Sequence, residues 1–190
     1  MSDTDKKLQE ARYFLKRMLE TYSSPFEFEC NLQAFISSAR SVTLVMQTEY
    51  SKKPNFNEWY DEKQKEMKAD EMISFFNKAR VTTIHKKPLD IGTFAYIKDI
   101  YLNSVPRGWS FAISGKGEPT WITPKGERVH ASEFDNQVER VYLFDNSPKS
   151  FLGVKLKDFS VVTLCRLYLA YLSDLVKEVT EKIEGISHES

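Results

Sequence analysis

The stretch that decides the fold class is Phe26–Tyr50, FEFECNLQAFISSARSVTLVMQTEY. Its apolar side chains recur at steps of three and four residues, at Phe28, Leu32, Phe35, Ala39, Val42 and Met46. This spacing places them on one face of an α-helix. The preceding Ser23-Ser24-Pro25 ends one segment and offers a cap for the next. The stretch therefore predicts a helix over residues 26–50.

Three other segments have the same periodicity and predict helices over residues 8–22, 56–84 and 159–184. Residues 90–157 differ, because they contain most of the glycines and alternate short apolar runs with turn signals. That pattern predicts a small antiparallel sheet. The expected fold is mainly α: a single domain over residues 1–190, built as a four-helix bundle with a β-rich insertion before the last helix.

The composition limits the possible functions. Lys plus Arg and Asp plus Glu both number 27, so no global basic field attracts nucleic acid, and any RNA binding must use a local patch. Cys30 and Cys165 lie in apolar helical patterns and are expected to be buried thiols, not a disulfide or metal pair. We see no leader, membrane span, metal-ligand spacing or cofactor motif, and therefore expect a cytoplasmic protein without a metal or cofactor.

The segment Arg80-Val81-Thr82-Thr83-Ile84-His85 is the best candidate for chemistry. Arginine forms a fork that suits phosphate, and histidine can exchange a proton near neutral pH. Within one straight helix, however, Arg80 and His85 would be about 140° apart in rotation. A shared site would need the helix to unwind after Arg80 or a second subunit to contribute. The acids and lysines of residues 61–71 alternate and predict exposed ion pairs, with Asp70 among them.

Four other cations are candidates for binding RNA. Lys78, Lys86 and Lys87 surround the Arg80/His85 segment with no acid between them, which suits an RNA backbone. The same cations could instead complement the dipole at a helix end. Arg40 on the second helix could point toward the Arg80 end of the third, or could be a surface ion-pair partner.

Parts of the chain resemble the HEPN (higher eukaryotes and prokaryotes nucleotide-binding) helical domains. The resemblance covers roughly residues 10–88 and 159–180, through Phe28–Ile36, Ala39–Thr43, Trp59-Tyr60, Phe75-Phe76 and the Arg80/His85 spacing. It differs at Val81, where the family usually has a polar residue after the arginine.

The resemblance implies a metal-independent endoribonuclease with toxin, phage-defence or RNA-processing roles. The RNA 2′-hydroxyl would attack the neighbouring phosphate while His85 moves the proton and Arg80 stabilises the transition state. It also implies a homodimer that brings both Arg80/His85 segments together, and a possible antitoxin or other protein partner.

Two alternatives remain open at this point. The protein could be a non-catalytic dimerising module that binds RNA, nucleotide or a protein, with Val81 marking lost chemistry. It could also be a structural domain in which Arg80 only pairs with an acid.

Overall fold

The computed structural model describes residues 1–85, 91–99, 106–113, 119–130 and 137–184. The chain divides into two compact units. Residues 1–89 together with 146–190 form what we call the helical unit, and residues 90–145 form the sheet unit. The helices and small antiparallel sheets confirm the mainly helical fold class.

The described part of the helical unit contains five α-helices where the sequence predicted four. They are α1 (Asp3–Glu20), α2 (Pro25–Tyr50), α3 (Phe56–Ala69), α4 (Glu71–His85) and α5 (Val161–Val179), the last followed by a π-helical turn, Thr180–Glu184. The second and last predicted helices match α2 and α5 closely.

The prediction of a single helix over residues 56–84 is wrong, because the helix is interrupted at Asp70. The backbone of Asp70 is extended, with φ −80° and ψ 130°. Its carboxylate Oδ1 accepts a hydrogen bond from the backbone N–H of Ile73 at 2.9 Å, as the cap of a new helix does. Asp70 is thus a helix cap instead of one member of an exposed ion-pair series.

Aromatic contacts hold α2, α4 and α5 together in the core. The ring of Phe76 in α4 stacks on Tyr168 of α5, with centroids 4.4 Å apart and planes 5° apart. Phe35 of α2 meets Phe76 edge to face at 6.4 Å. All three side chains are almost fully buried, so the inner face of α4 is fixed by packing on two helices.

The β6–β7 hairpin, Ser150–Phe151 and Val154–Lys155, belongs to the helical unit and is attached to the start of α4. The backbone N–H of Leu152 donates to Asp70 Oδ2 at 2.7 Å. Both the N–H and the hydroxyl of Ser150 donate to Glu71 Oε2, at 3.0 and 2.7 Å. The hydroxyl donor is the main reason that the pKa of Glu71 is lowered.

The sheet unit contains two small antiparallel sheets. In one, β1 (Ile91–Asp99) pairs with β5 (Gln137–Phe144). In the other, the strand order is β2 (Ser110–Ile113), β3 (Pro119–Ile122) and β4 (Arg128–His130). Trp121 is buried, with Phe111 packed edge-on at 5.2 Å, as expected of a side chain that fills a small sheet's core.

Burial within one chain corrects one expectation, which concerns the two thiols. The apolar face of α5 is buried in the single chain, from Val161 to Val179. Cys165 is buried and burial raises its thiol pKa well above the usual value, but Cys30 is exposed. Cys30 lies about 200° in helical rotation from Phe28, and therefore faces away from the core.

None of the helices in the described ranges is both long enough and apolar enough to cross a membrane.

Candidate functional site

Helix α4 carries the candidate segment and presents two different faces. Met72, Ile73, Phe76 and Ala79 are buried and form the inner face. The outer face carries Ser74, Asn77, Lys78, Val81 and Thr82, which are half-buried or exposed. Every candidate residue on α4 must therefore be assigned to one of these two faces.

Arg80 continues the inner face. It lies four residues after Phe76 and seven after Ile73, and its side chain is half-buried. The backbone of α4 stays helical to His85, so the helix does not unwind between the two candidate residues. Positions 80 and 85 remain about 140° apart in rotation. The helical register therefore places positions 80 and 85 on different faces of α4.

An open cleft of about 420 Å³ lies along the outer face of α4, where the last turn of α3 approaches it. We call it the α4 cleft. It is lined by Lys68 of α3 and by Ser74, Asn77, Lys78, Val81 and Thr82 of α4. Its volume lies within the range of small-molecule sites in proteins.

The polar groups of the α4 cleft have spare hydrogen-bonding capacity. Neither Lys68 nor Lys78 forms an ion pair with any residue that the structure describes. The side-chain oxygen of Asn77 is buried without a hydrogen-bond partner in that same part of the protein. None of the described residues that line the cleft is an acid. The cleft thus offers two ammonium donors and two hydroxyls, and the buried amide oxygen of Asn77 becomes an acceptor there once its side chain turns toward the cleft.

The remaining predicted site residues lie in different places. His85 is the last residue of α4, but its side chain lies outside the described part of the chain. Lys86 and Lys87 lie outside it entirely. Position 85 is seven residues after Lys78, which puts it about 20° away in rotation, on the outer face of α4. Helical register therefore groups position 85 with Lys78 and not with Arg80.

Arg40 faces the interior between helices. Its guanidinium donates to Thr43 Oγ1, one turn along α2. Burial raises the pKa of Tyr168 to about 12, and the nearby charge of Arg40 partly opposes that rise. Arg40 likewise opposes the effect of burial on the pKa of Tyr60 in α3. These neighbours place Arg40 beside the core tyrosines, and Arg40 is not among the described residues that line the α4 cleft.

Sequence reasoning identified Lys78 but missed Lys68, Ser74 and Asn77. The spacing of Ser74, Asn77, Lys78 and Val81 at three- and four-residue steps was the available signal. Lys68 could not be found this way, because it comes from another helix. Among the described residues, no group of three or more His, Cys, Asp or Glu side chains could hold a metal ion.

The chain belongs to the family of bacteriophage lambda protein ea47, whose family model matches residues 1–166. The resemblance to HEPN domains is therefore wrong, and the toxin and phage-defence roles that it implied lose their basis. That resemblance depended on a short motif, and the helix proposed to carry it is in fact two helices. No curated protein and no solved structure matches the chain.

Proposed function

We propose that this protein is a binding module whose α4 cleft takes a ribose-phosphate segment of RNA or a ribonucleotide. The observation that carries the proposal is the set of unused polar groups in the cleft: Lys68, Lys78 and the buried amide oxygen of Asn77. A ligand that satisfies them must carry both negative charge and a hydrogen-bond donor.

The two lysines favour a phosphate group. They approach the cleft from different helices, and neither is neutralised by an acid in the described part of the chain. Binding a phosphate releases counterions from the nucleic acid, which makes such contacts favourable at low salt. The hydroxyls of Ser74 and Thr82 can add donors to phosphate oxygens.

The amide oxygen of Asn77 favours RNA over DNA. A buried acceptor without a partner costs free energy, which a ligand donor can recover. When the Asn77 side chain turns toward the cleft, the ribose 2′-hydroxyl can be that donor, and DNA lacks it. A base amino group could also donate to Asn77, but it would not distinguish the two nucleic acids. The cleft chemistry therefore predicts a preference for RNA that depends on Asn77.

Fluorescence anisotropy with labelled single-stranded RNA and DNA of one sequence tests this proposal. Wild type should bind RNA more tightly than DNA. Lys78→Ala should weaken binding to both and reduce the slope of log K against log salt by about 0.7, the value for one lost phosphate contact on a single strand. Asn77→Ala should mainly remove the preference for RNA.

Two matched controls separate the cleft from general charge. Lys52→Ala removes an exposed lysine, and Asn146→Ala removes an exposed amide, both in the helical unit but outside the cleft. Neither should change the affinity beyond the error of the measurement. Equal weakening by Lys52→Ala and Lys78→Ala would contradict a specific site, as would an RNA preference that survives in Asn77→Ala.

Endoribonuclease activity is a second candidate, favoured by the helical register of position 85. If the protein cuts RNA, we expect Lys78 and not Arg80 to act with His85, because position 85 falls on the same face of α4 as Lys78. RNA incubated with the protein and a chelator should then yield 2′,3′-cyclic phosphate ends.

The activity should be lost in His85→Ala and Lys78→Ala and kept in Arg80→Ala. Loss in Arg80→Ala with an unchanged melting temperature would instead restore the original pair, with the second group supplied by another subunit. If wild type binds RNA but does not cut it, only the proposal of a binding module remains.

A further inference from the structure

Val81 is an apolar residue on the polar face of α4. The other apolar side chains of this helix that the structure describes are buried or half-buried, whereas Val81 is 51% exposed. It is also the only apolar residue among the described residues that line the α4 cleft. A single exposed apolar residue is ordinary on a protein surface, so the groups beside Val81 decide what it can do.

Val81 forms a compact triangle with two polar residues of the cleft. It follows Asn77 by four residues and Lys78 by three, and α4 is helical across all three positions. Residues at these spacings are neighbours on a helix surface, with Cβ atoms about 5–6 Å apart. An aliphatic surface, an amide and an ammonium group therefore lie side by side on one patch of the cleft.

These three groups match the three parts of one nucleotide. An ammonium group binds phosphate, and an amide oxygen turned toward the cleft accepts a hydrogen bond from a ribose hydroxyl. An aliphatic side chain covers the face of a base. Phosphate, ribose and base follow one another within a few ångströms, which is comparable to the spacing of the three side chains. The cleft volume of about 420 Å³ is in the range that holds one small molecule.

The aliphatic surface distinguishes a nucleotide from a simpler phosphate. Inorganic phosphate or a sugar phosphate can bind Lys78 and Asn77 but leaves Val81 in water. A base placed on Val81 removes apolar surface from water, which favours binding. The cleft should therefore bind a nucleotide more tightly than the same sugar phosphate without its base.

The contact with Val81 requires a base that is not paired. In a duplex, each base stacks on its neighbours and exposes only its edges in the grooves. A side chain reaches the face of a base only after the base has left the stack. Val81 therefore favours an unpaired nucleotide over one within a continuous duplex.

We infer that the α4 cleft takes one unpaired ribonucleotide, with its phosphate on Lys78, its ribose at Asn77 and its base on Val81. This inference rests on the proposed function, because it requires that the cleft binds ribose-phosphate. It adds the class of ligand and the residue that selects it. The nucleotide is either free in solution or an unpaired member of an RNA strand.

NMR titration of the isotope-labelled protein with adenosine 5′-monophosphate and with ribose 5-phosphate tests the base contact. Wild type should bind the nucleotide about fivefold more tightly than the sugar phosphate, which is the effect of covering the exposed half of a valine side chain. Val81→Ser should remove most of this difference and leave the affinity for ribose 5-phosphate unchanged. Val81→Leu should retain the difference.

Two further measurements separate binding from folding. The melting temperature of Val81→Ser should stay close to that of wild type, because the side chain is half exposed. Leu44→Ser changes an exposed aliphatic residue of α2 that does not line the cleft, and it should bind both ligands as wild type does.

The outcomes distinguish this inference from the proposed function. Equal affinity of wild type for the two ligands would overturn the base contact and leave a ribose-phosphate site in place. Equal weakening of both ligands in Val81→Ser would also overturn it. If neither these ligands nor single-stranded RNA binds, the proposed function fails and the inference fails with it.

Fluorescence anisotropy with a single-stranded RNA and the duplex of the same sequence identifies the source of the nucleotide. Tighter binding of the single strand, weakened by Val81→Ser, would support an unpaired nucleotide within a strand. Binding of adenosine 5′-monophosphate without binding of the strand would support a free nucleotide. Duplex binding that equals single-strand binding and is unaffected by Val81→Ser would overturn the inference.

Discussion

Replacement of Asp70 by alanine should destabilise the helical unit, because this carboxylate makes two different contacts. Oδ1 caps α4 through the Ile73 N–H at 2.9 Å, and Oδ2 accepts from the Leu152 N–H at 2.7 Å. A lost helix cap costs about 1 kcal/mol. A hydrogen bond to a charged group is worth about 1.5–3 kcal/mol, and the lower end applies here because water can reach the Leu152 N–H. The expected loss is about 2–3 kcal/mol.

Thermal unfolding followed by circular dichroism measures this loss. For a chain of this size, about 2–3 kcal/mol corresponds to a decrease of about 4–12 °C in melting temperature. Asp70→Asn should lose about 1–2 kcal/mol, because asparagine keeps the helix cap but its amide nitrogen cannot accept the hydrogen bond from the Leu152 N–H. Hydrogen exchange at the Leu152 amide should accelerate in Asp70→Ala.

Asp61→Ala, an exposed acid of α3, is the control and should change stability by less than about 0.5 kcal/mol. If Asp70→Ala melts at the same temperature as wild type, the break between α3 and α4 does not depend on this residue. The account of how the hairpin and α4 are held together would then be wrong.

Two further predictions concern the reactivity of the two thiols and the stability of the protein at low pH. A thiol reagent should modify Cys30 promptly in the folded protein and reach Cys165 only on unfolding, because Cys165 is buried and its pKa is raised; early loss of both thiols would contradict this. Burial opposes the ionisation of Glu178, but hydrogen bonds from Trp59, Lys63 and Lys182 outweigh it and lower its pKa below the usual 4.5. Its contribution to stability is therefore complete above about pH 4.5 and lost as pH falls through the lowered pKa. The difference in melting temperature between wild type and Glu178→Gln should be largest near neutral pH and shrink in acid; a constant difference would refute the assignment.

Local periodicity was sufficient to predict the helices that pack along one continuous face. Residues 26–50 and 159–184 were predicted closely, because each apolar stripe repeats at helical spacing over its full length. The same periodicity also places Cys30 on the exposed face of α2. The expectation that Cys30 is buried relied on the apolar composition of the stretch and not on the rotational position of the residue.

The position of the α4 cleft could be predicted only in part. Lys78 was identified from local charge. Lys68 lines the same cleft only because the helix is interrupted at Asp70, which lets α4 lie near the end of α3. The separation of positions 80 and 85 by about 140° was already expected from helical rotation, and only the structure shows that α4 stays helical as far as His85.

The sequence by itself determined which segments are helical or extended, because that choice depends on side chains a few residues apart. Tertiary structure decided where the third predicted helix ends. The Leu152 N–H bonds to Asp70 from 82 residues away, and no local pattern contains that contact. It also decided which polar residues share a cleft, since hydrogen bonds and packing between distant segments set the directions of the helices.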